Sequence, residues 1–441
     1  MKNKYVGLIS TALCAGLFAG IATAQPPLSV ASPESVGFSS AGLGRIDQFF
    51  QREIDAKRVP GAVVAIARDG KLIHYKAYGK ISPDSAEPMP LDAVFGLASM
   101  TKIMTSVGAL TLTQEGSLPL KSPLSNYYPQ FGKMKVGVLT GDGKYTMQDP
   151  ASPIFIHDLL RHTSGLTYGG RGNNPIASQW PPTNDVVFSM SGQQFIDKIT
   201  QLPLTKQPGT EFEYSFSTDV LGLVVEKISG KRLGEFLNDR IWQPLGMKNT
   251  TFQLSSIDKA KLAKPFKANP LDGKPQSIPM VEKQSSFDCG GACALGTVGD
   301  YLRFGQMLAN EGVLDGVRIL SPQTVRWMTS NHLGPNIKNN VGYVEPHREG
   351  YGFGLGVAVR QDAGVAAVPG NVGEYSWNGA YGTAFFADPR ERLVVVVGTA
   401  APGELRKYYR EQVQVQVYGA MSRRQLLTKF RSWRRPVDCS T

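Results

Sequence analysis

Apolar and polar positions alternate with different periods along this 441-residue chain. From Ser39 the stretch SSAGLGRIDQFFQREIDAKRVPG places Leu43, Ile46, Phe50 and Ile54 on one helical face. Ser39 or Ser40 can cap that helix, and Pro60-Gly61 is the expected stop. AVVAIARDGKLIHYKAYG follows, two β-rich runs about Asp69-Gly70, a strong short-range hairpin signal. From about Leu118 to Gln284 strand signals thin out, and loops alternate with helical stretches such as SGQQFIDKITQL and STDVLGLVVEKISG. GDYLRFGQMLANEG and SPQTVRWMTSN are helical again. Strands return in GYGFGLGVAV, GEYSWNGAYGTAFFADP and RLVVVVGTA. LRKYYREQVQVQVYGAM reads as a helix, although its VQVQV core alternates with period two.

Strand-rich ends therefore bracket a helical middle. The expectation is one α/β fold, an antiparallel sheet sandwiched by helices, with an inserted mostly helical region. Residues 25–117 and 285–421 would build the sandwich and 118–284 the helical, loop-rich region. A ligand cleft belongs between them.

The ends of the chain change the picture most. Lys2 and Lys4 precede an apolar run from Val6 to Ile21, and Ala22-Thr23-Ala24 is an A-x-A cleavage site. Residues 1–24 read as a secretory signal peptide, so the mature protein is expected to start at Gln25, secreted or periplasmic. Leu13 before Cys14 argues against a lipoprotein signal. Export leaves Cys289, Cys293 and Cys439, an odd set. Cys289 and Cys293 flank Gly290-Gly291-Ala292. That spacing admits a short-loop disulfide, but an inert loop pair is the favoured reading. No histidine lies near enough in sequence to complete a metal site. The net charge of +11 would suit nucleic acid, but much of the excess lies in SRRQLLTKFRSWRRPVDCST and no nucleic-acid motif accompanies it. Residues 422–441 are read as a basic tail, solvated or in weak contact with a membrane surface.

Four segments could carry chemistry. In FGLASMTKIM, Ser99 and Lys102 stand three apart at the start of an apolar helix, hence on one face. A serine in a first turn lies near unpaired N–H groups and the positive helix end, and a lysine stripped of water can act as its base. In PGTEFEYSFSTDVLG, Tyr214 precedes a helix at a turn, where a phenol beside a cation could relay a proton. In GEYSWNGAYGT, a glycine-rich strand Trp377-Asn378-Gly379-Ala380 could offer the Ala380 N–H to an oxyanion. In LLRHTSGL, His162 reads as a structural stop-and-turn, because a catalytic histidine would want a G-x-S-x-G elbow that the chain lacks.

Taken in this order, the four segments resemble the serine β-lactamase-like hydrolases: class C β-lactamases, D-Ala-D-Ala peptidases and family VIII carboxylesterases. The likeness runs from VPGAVVAIARDGKLI through LLRHTSGL, YSFSTDVLG and CGGACALGTVGDYLRFGQML to YSWNGAYGT. It implies Ser99 as acylated nucleophile, Lys102 and Tyr214 as base and proton relay, and the N–H groups of Ser99 and Ala380 as oxyanion hole. Trp377, Asn378 and Gly379 would face the substrate. No metal or organic cofactor is implied, and the partner is a small acyl substrate. Phe216 stands where class C enzymes carry the asparagine of Tyr-x-Asn, and Trp377-Asn378-Gly379 replaces Lys-Thr-Gly. A tryptophan cannot hold a substrate carboxylate as that lysine does. The departure favours small or aryl esters over β-lactams or D-Ala-D-Ala peptides. A non-catalytic envelope protein, binding wall or lipid ligands in the cleft, is the reading from another class.

Overall fold

The two-residue turn at Asp69 and Gly70, with φ of 54° and 73°, joins Arg68 to Lys71 across the first hairpin. Both values lie in the left-handed region that a type I′ hairpin requires. Its strands are β1 (Gly61–Arg68) and β2 (Lys71–Gly79). The computed structural model describes residues 27–141, 143–170 and 174–422. The expected signal peptide, the mature start at Gln25, Cys439 and all but the first residue of the basic tail lie outside them.

Five late strands complete one sheet: β3 (Tyr351–Phe353), β4 (Ala358–Arg360), β5 (Tyr375–Asn378), β6 (Ala384–Asp388) and β7 (Leu393–Thr399). The order is β2-β1-β7-β6-β5-β4-β3, antiparallel throughout. Because β1 pairs with β7, the two ends of the chain close the sheet together. Side chains alternate across it. Ala62, Val64, Ile66, Leu393, Val395 and Val397 pack under α1 (Ser40–Asp55) and α5 (Leu405–Gly419). Val63, Ala65, Val394 and Val396 face the other way, toward α4 (Val298–Ala309). Both faces are covered, which is why β1 is buried along its whole length.

From the 118–284 region comes α3 (Ser217–Ser229), which packs on α2 (Thr101–Gln114) of the first segment. Every residue of α2 from Thr101 to Leu112 is buried, so this helix has no solvent face. Among the described residues no helix is long and apolar enough to cross a membrane.

Several expectations needed adjustment. Ser39, not Ser40, caps α1, and the helix ends at Asp55, before the left-handed Lys57. GYGFGLGVAV is two strands, turned at Gly356 with φ 93°. VQVQV is helical within α5. The middle also holds an unexpected hairpin, Val136–Leu139 with Tyr145–Gln148, and Val94–Gly96 pairs with Leu295–Thr297. Cys289 and Cys293 are joined in a disulfide, Cα atoms 5.2 Å apart, which corrects the inert-pair reading.

Candidate active site

Ser99 sits in a single 3₁₀ turn, Ala98–Met100, that runs directly into α2. Ala98 before it has φ 46°, a left-handed conformation that costs an L-residue about 1 kcal/mol or more. The surroundings enforce it. Leu97 N–H donates to Ala294 O (2.9 Å), Ala294 N–H to Thr101 Oγ1 (3.1 Å), and Tyr301 OH to Met100 O (2.9 Å). Ser99 is half-buried at the N-terminal end of a helix.

One turn later, Lys102 is 1% exposed and its ammonium nitrogen meets three oxygens. Nζ lies 2.6 Å from Gly291 O, 3.1 Å from Tyr168 Oη and 3.4 Å from Ser99 Oγ. A neutral amine has two hydrogens and one lone pair. Nζ donates to all three oxygens; were the hydrogen directed at Ser99 Oγ given up, the lone pair left behind would face that hydroxyl, the arrangement of a base. The Tyr214 ring lies 4.7 Å below Nζ.

Tyr214 is buried and gripped on several sides. The Trp377 indole N–H donates to its hydroxyl at 3.0 Å. The His162 ring packs on it, centroids 4.8 Å apart. His162 Nδ1 accepts from Ser215 N–H (3.3 Å), and Glu213 N–H donates to His162 O (2.8 Å), so this histidine holds the segment that carries Tyr214. The structural reading of His162 agrees with these contacts.

Two groups around Lys102 escaped the sequence reading. Tyr168 follows the LLRHTSGL turn. Its ring lies 4.5 Å from that of Phe216, which is buried among Tyr168, Trp180 and Phe195. Phe216 thus packs as an apolar ring, and a polar contact to Lys102 comes from Tyr168. Asp219, in the first turn of α3, accepts the Gly291 N–H at 3.0 Å and a hydrogen bond from Tyr168. Complete burial raises its carboxyl to about 6, against the opposing pull of Lys102 and the Gly291 N–H.

The late strand needs two corrections. Asn378 is not on the cleft face. Successive strand residues point to opposite faces, so Trp377 faces Tyr214 while Asn378 points toward α5 and donates to Glu345 Oε2 at 3.2 Å. Ala380 lies outside the strand, which stops at Asn378; it is exposed in the turn to β6. Gly379 opens that turn, donating to Thr383 O at 2.8 Å. A Cβ on Gly379 would lie 2.4 Å from Leu97 O, so only glycine lets this turn seat against the Ser99 segment. Thr383 Oγ1 donates to that same Leu97 carbonyl (3.1 Å).

A cavity of about 330 Å³ opens beside Tyr214, with Thr167, Lys206, Glu211, Glu213 and Lys338 on its wall. Lys206 and Lys338 both pair with Glu211, at 3.0 and 3.2 Å. Among the described residues no three His, Cys, Asp or Glu side chains cluster as a metal site.

The Beta-lactamase family model matches residues 46–417. Protein Rv1367c of Mycobacterium tuberculosis is 35% identical over 354 residues, covering 78% of this chain and 87% of that one. Esterase EstB of Burkholderia gladioli is 28% identical over 394 residues, 83% and 93% of the two chains. Among solved structures, EstCE1, described as a hydrolase with promiscuous acyltransferase activity, superposes with a TM-score of 0.70 at 29% identity, over 86% of this chain and 98% of that one. With a buried lysine reaching a serine at a helix start, a tyrosine ring beneath that lysine, and likeness along most of its length, the chain belongs to the Beta-lactamase family and is a serine hydrolase.

Proposed function

We propose that the protein is an exported carboxylesterase acting on small or aryl esters through an acyl-enzyme on Ser99. Ser99 Oγ attacks the ester carbonyl carbon, and its proton passes to the Lys102–Tyr214 pair. The tetrahedral oxyanion is held by the N–H groups of Ser99 and Ala380. The pair returns the proton to the departing alkoxide, leaving an acyl ester on Ser99. Water, deprotonated by the same pair, then releases the acid and restores the hydroxyl.

The observation that carries the ester preference is the Trp377 indole, committed to the Tyr214 hydroxyl. No cation stands at that position to receive a substrate carboxylate. The two lysines on the neighbouring cavity wall are already paired with Glu211. Arg348 lies 4.5 Å from the Trp377 ring centroid, itself 2% exposed. A neutral ester needs no counter-charge in such a site, whereas a carboxylate would have to reach the buried Arg348 behind the Trp377 ring for one. The reading of export rests on the leader pattern through Ala24, and a disulfide suits an oxidising compartment.

Turnover of p-nitrophenyl butyrate and labelling of Ser99 by a fluorophosphonate are expected, with both lost in Ser99→Ala. Full activity in that variant would refute the mechanism. Nitrocefin and D-Ala-D-Ala peptides are expected to be poor substrates. Fast nitrocefin hydrolysis would overturn the ester preference in favour of a β-lactamase. Inertness to every serine-directed probe would revive the non-catalytic reading.

A further inference from the structure

The loop Cys289-Gly290-Gly291-Ala292-Cys293 is wedged between the two helices that carry the base and its neighbours. From α2, Lys102 Nζ donates to Gly291 O at 2.6 Å and Thr105 Oγ1 to Gly290 O at 2.8 Å. On the α3 side, the Gly291 N–H donates to Asp219 Oδ1 at 3.0 Å. The fit leaves no room for side chains. A Cβ on Gly290 would lie 2.7 Å from Thr218 O, and one on Gly291 would lie 2.3 Å from Asp219 Oδ2. The loop that must supply the carbonyl is therefore built from two glycines, the residues with most conformational freedom to lose. The disulfide closes that loop at both ends, with Cys289 fully buried and Cys293 3% exposed.

The distances give the loop leverage. Of the three oxygens around Lys102 Nζ, Gly291 O is nearest, and Ser99 Oγ, at 3.4 Å, is at the edge of hydrogen-bonding range. A displacement of the loop by a few tenths of an ångström moves the amine into or out of reach of the serine. Such shifts in a reacting pair are costly in rate.

We propose that the Cys289–Cys293 disulfide is a positioning element of the reaction, bracing the Gly291 carbonyl that sets Lys102 Nζ against Ser99 Oγ. This rests on the serine hydrolase chemistry above and adds a dependence on oxidation: the enzyme is fully active only with the pair joined.

The test begins with the purified full chain. Peptide mapping after alkylation under denaturing conditions, with and without prior reduction, should show Cys289 and Cys293 blocked until reduced. The double variant Cys289→Ala/Cys293→Ala should then lose about 10- to 100-fold in kcat on p-nitrophenyl butyrate. KM should stay within about twofold, and fluorophosphonate labelling should slow in parallel. Thr105→Val, which removes the second tie from α2 to the loop, should lower kcat by about threefold in the same pattern, and it decides the matter alone if the double variant does not fold. Wild-type kcat and labelling rate in a folded double variant would overturn the proposal, as would free thiols in the native protein. Losses that only track the unfolded fraction would also overturn it, as would an unchanged kcat in Thr105→Val where that variant stands alone. A wild-type protein unreactive to fluorophosphonates would instead remove the hydrolase reading itself.

Discussion

Trp377 decides which way the Tyr214 hydroxyl can point. An indole nitrogen only donates, so at 3.0 Å the phenol oxygen must accept, and its own hydrogen turns to a different partner. The same contact would stabilise negative charge on that oxygen as a proton passes. Trp377→Phe keeps an aromatic ring against Tyr214, Phe353 and Arg348 but deletes the donor. Its kcat on p-nitrophenyl butyrate should fall about 10- to 100-fold, corresponding to about 1–3 kcal/mol for one buried hydrogen bond, with KM changed less than about threefold. An unchanged kcat would mean that Tyr214 does not need the indole. At this scale the sequence was readable where chemistry repeats at short spacing, as in Ser99 and Lys102. Tyr168 and Gly291 were not readable, because they reach Lys102 from 66 and 189 residues away and no periodicity reports such a meeting. Asn378 is a different case. Strand alternation alone places it opposite Trp377, so its absence from the cleft was legible in the pattern of the strand.

The turn between β5 and β6 depends on an element that no motif announced. Arg410, on α5, donates to Gly379 O and pairs with Glu345 Oε1 at 2.9 Å. Glu345 also accepts from Asn378 and lies 3.5 Å from His347 Nδ1. Burial alone would raise the Glu345 carboxyl, but Arg410, Arg348 and His347 hold it at about 2. Its stabilising contribution is therefore complete above the ordinary carboxylate range and is lost as the pH falls toward 2. Glu345→Gln leaves two buried guanidinium groups without their counter-charge and should destabilise the fold by about 3–5 kcal/mol. Urea unfolding should also show a shallower loss of stability below pH 4.5 in this variant than in wild type. An unchanged midpoint would show that the arginines find other partners. The helix that supplies Arg410 contains VQVQV, whose alternation imitates a strand. Val413 and Val417, four apart, face the sheet, while Val415 is exposed, so the helical period emerges only once burial is known. The paired segments Val94–Gly96 and Leu295–Thr297 are three residues each, too short for any period to register.

Across the whole molecule, the closure of one sheet by both chain ends was legible because long, strongly apolar runs at Gly61 and Leu393 need a common core. The balance of buried charge was not, since it depends on which titratable groups the fold hides. Four histidines are pushed down by burial: His74 to about 4, His157 to about 3, His347 to about 4, and His332 in the same direction. His157 and His332 meet at 2.9 Å, so protonating both would also set like charges together. In the unfolded chain each binds a proton near its ordinary value of 6.5. Between about pH 4 and 6.5 the unfolded state thus holds more protons on these groups, and stability rises with pH. Five carboxyls act the other way: burial raises Glu226, Asp300 and Glu411, and Asp219 and Glu374 furthest of all. Burial raises Asp219 to about 6 and Glu374 to about 7, so each costs stability as the pH climbs through the interval above its unfolded value. The histidines shed their excess protons across this whole interval, whereas of the carboxyls only Asp219 and Glu374 are carried far into it, so the net slope from pH 4.5 to 6.5 should be positive. Above 6.5 the histidine contribution is complete and only the tail of the Glu374 titration remains, so the curve should level or dip. Urea midpoints measured at pH 4.5, 5.5, 6.5 and 7.5 check this. His157→Asn should flatten the rise by removing one depressed histidine and relieving its partner, and Glu374→Gln should steepen it. A midpoint that falls steadily from pH 4.5 to 6.5 would mean that the buried carboxyls, not the histidines, govern the acid stability of the protein.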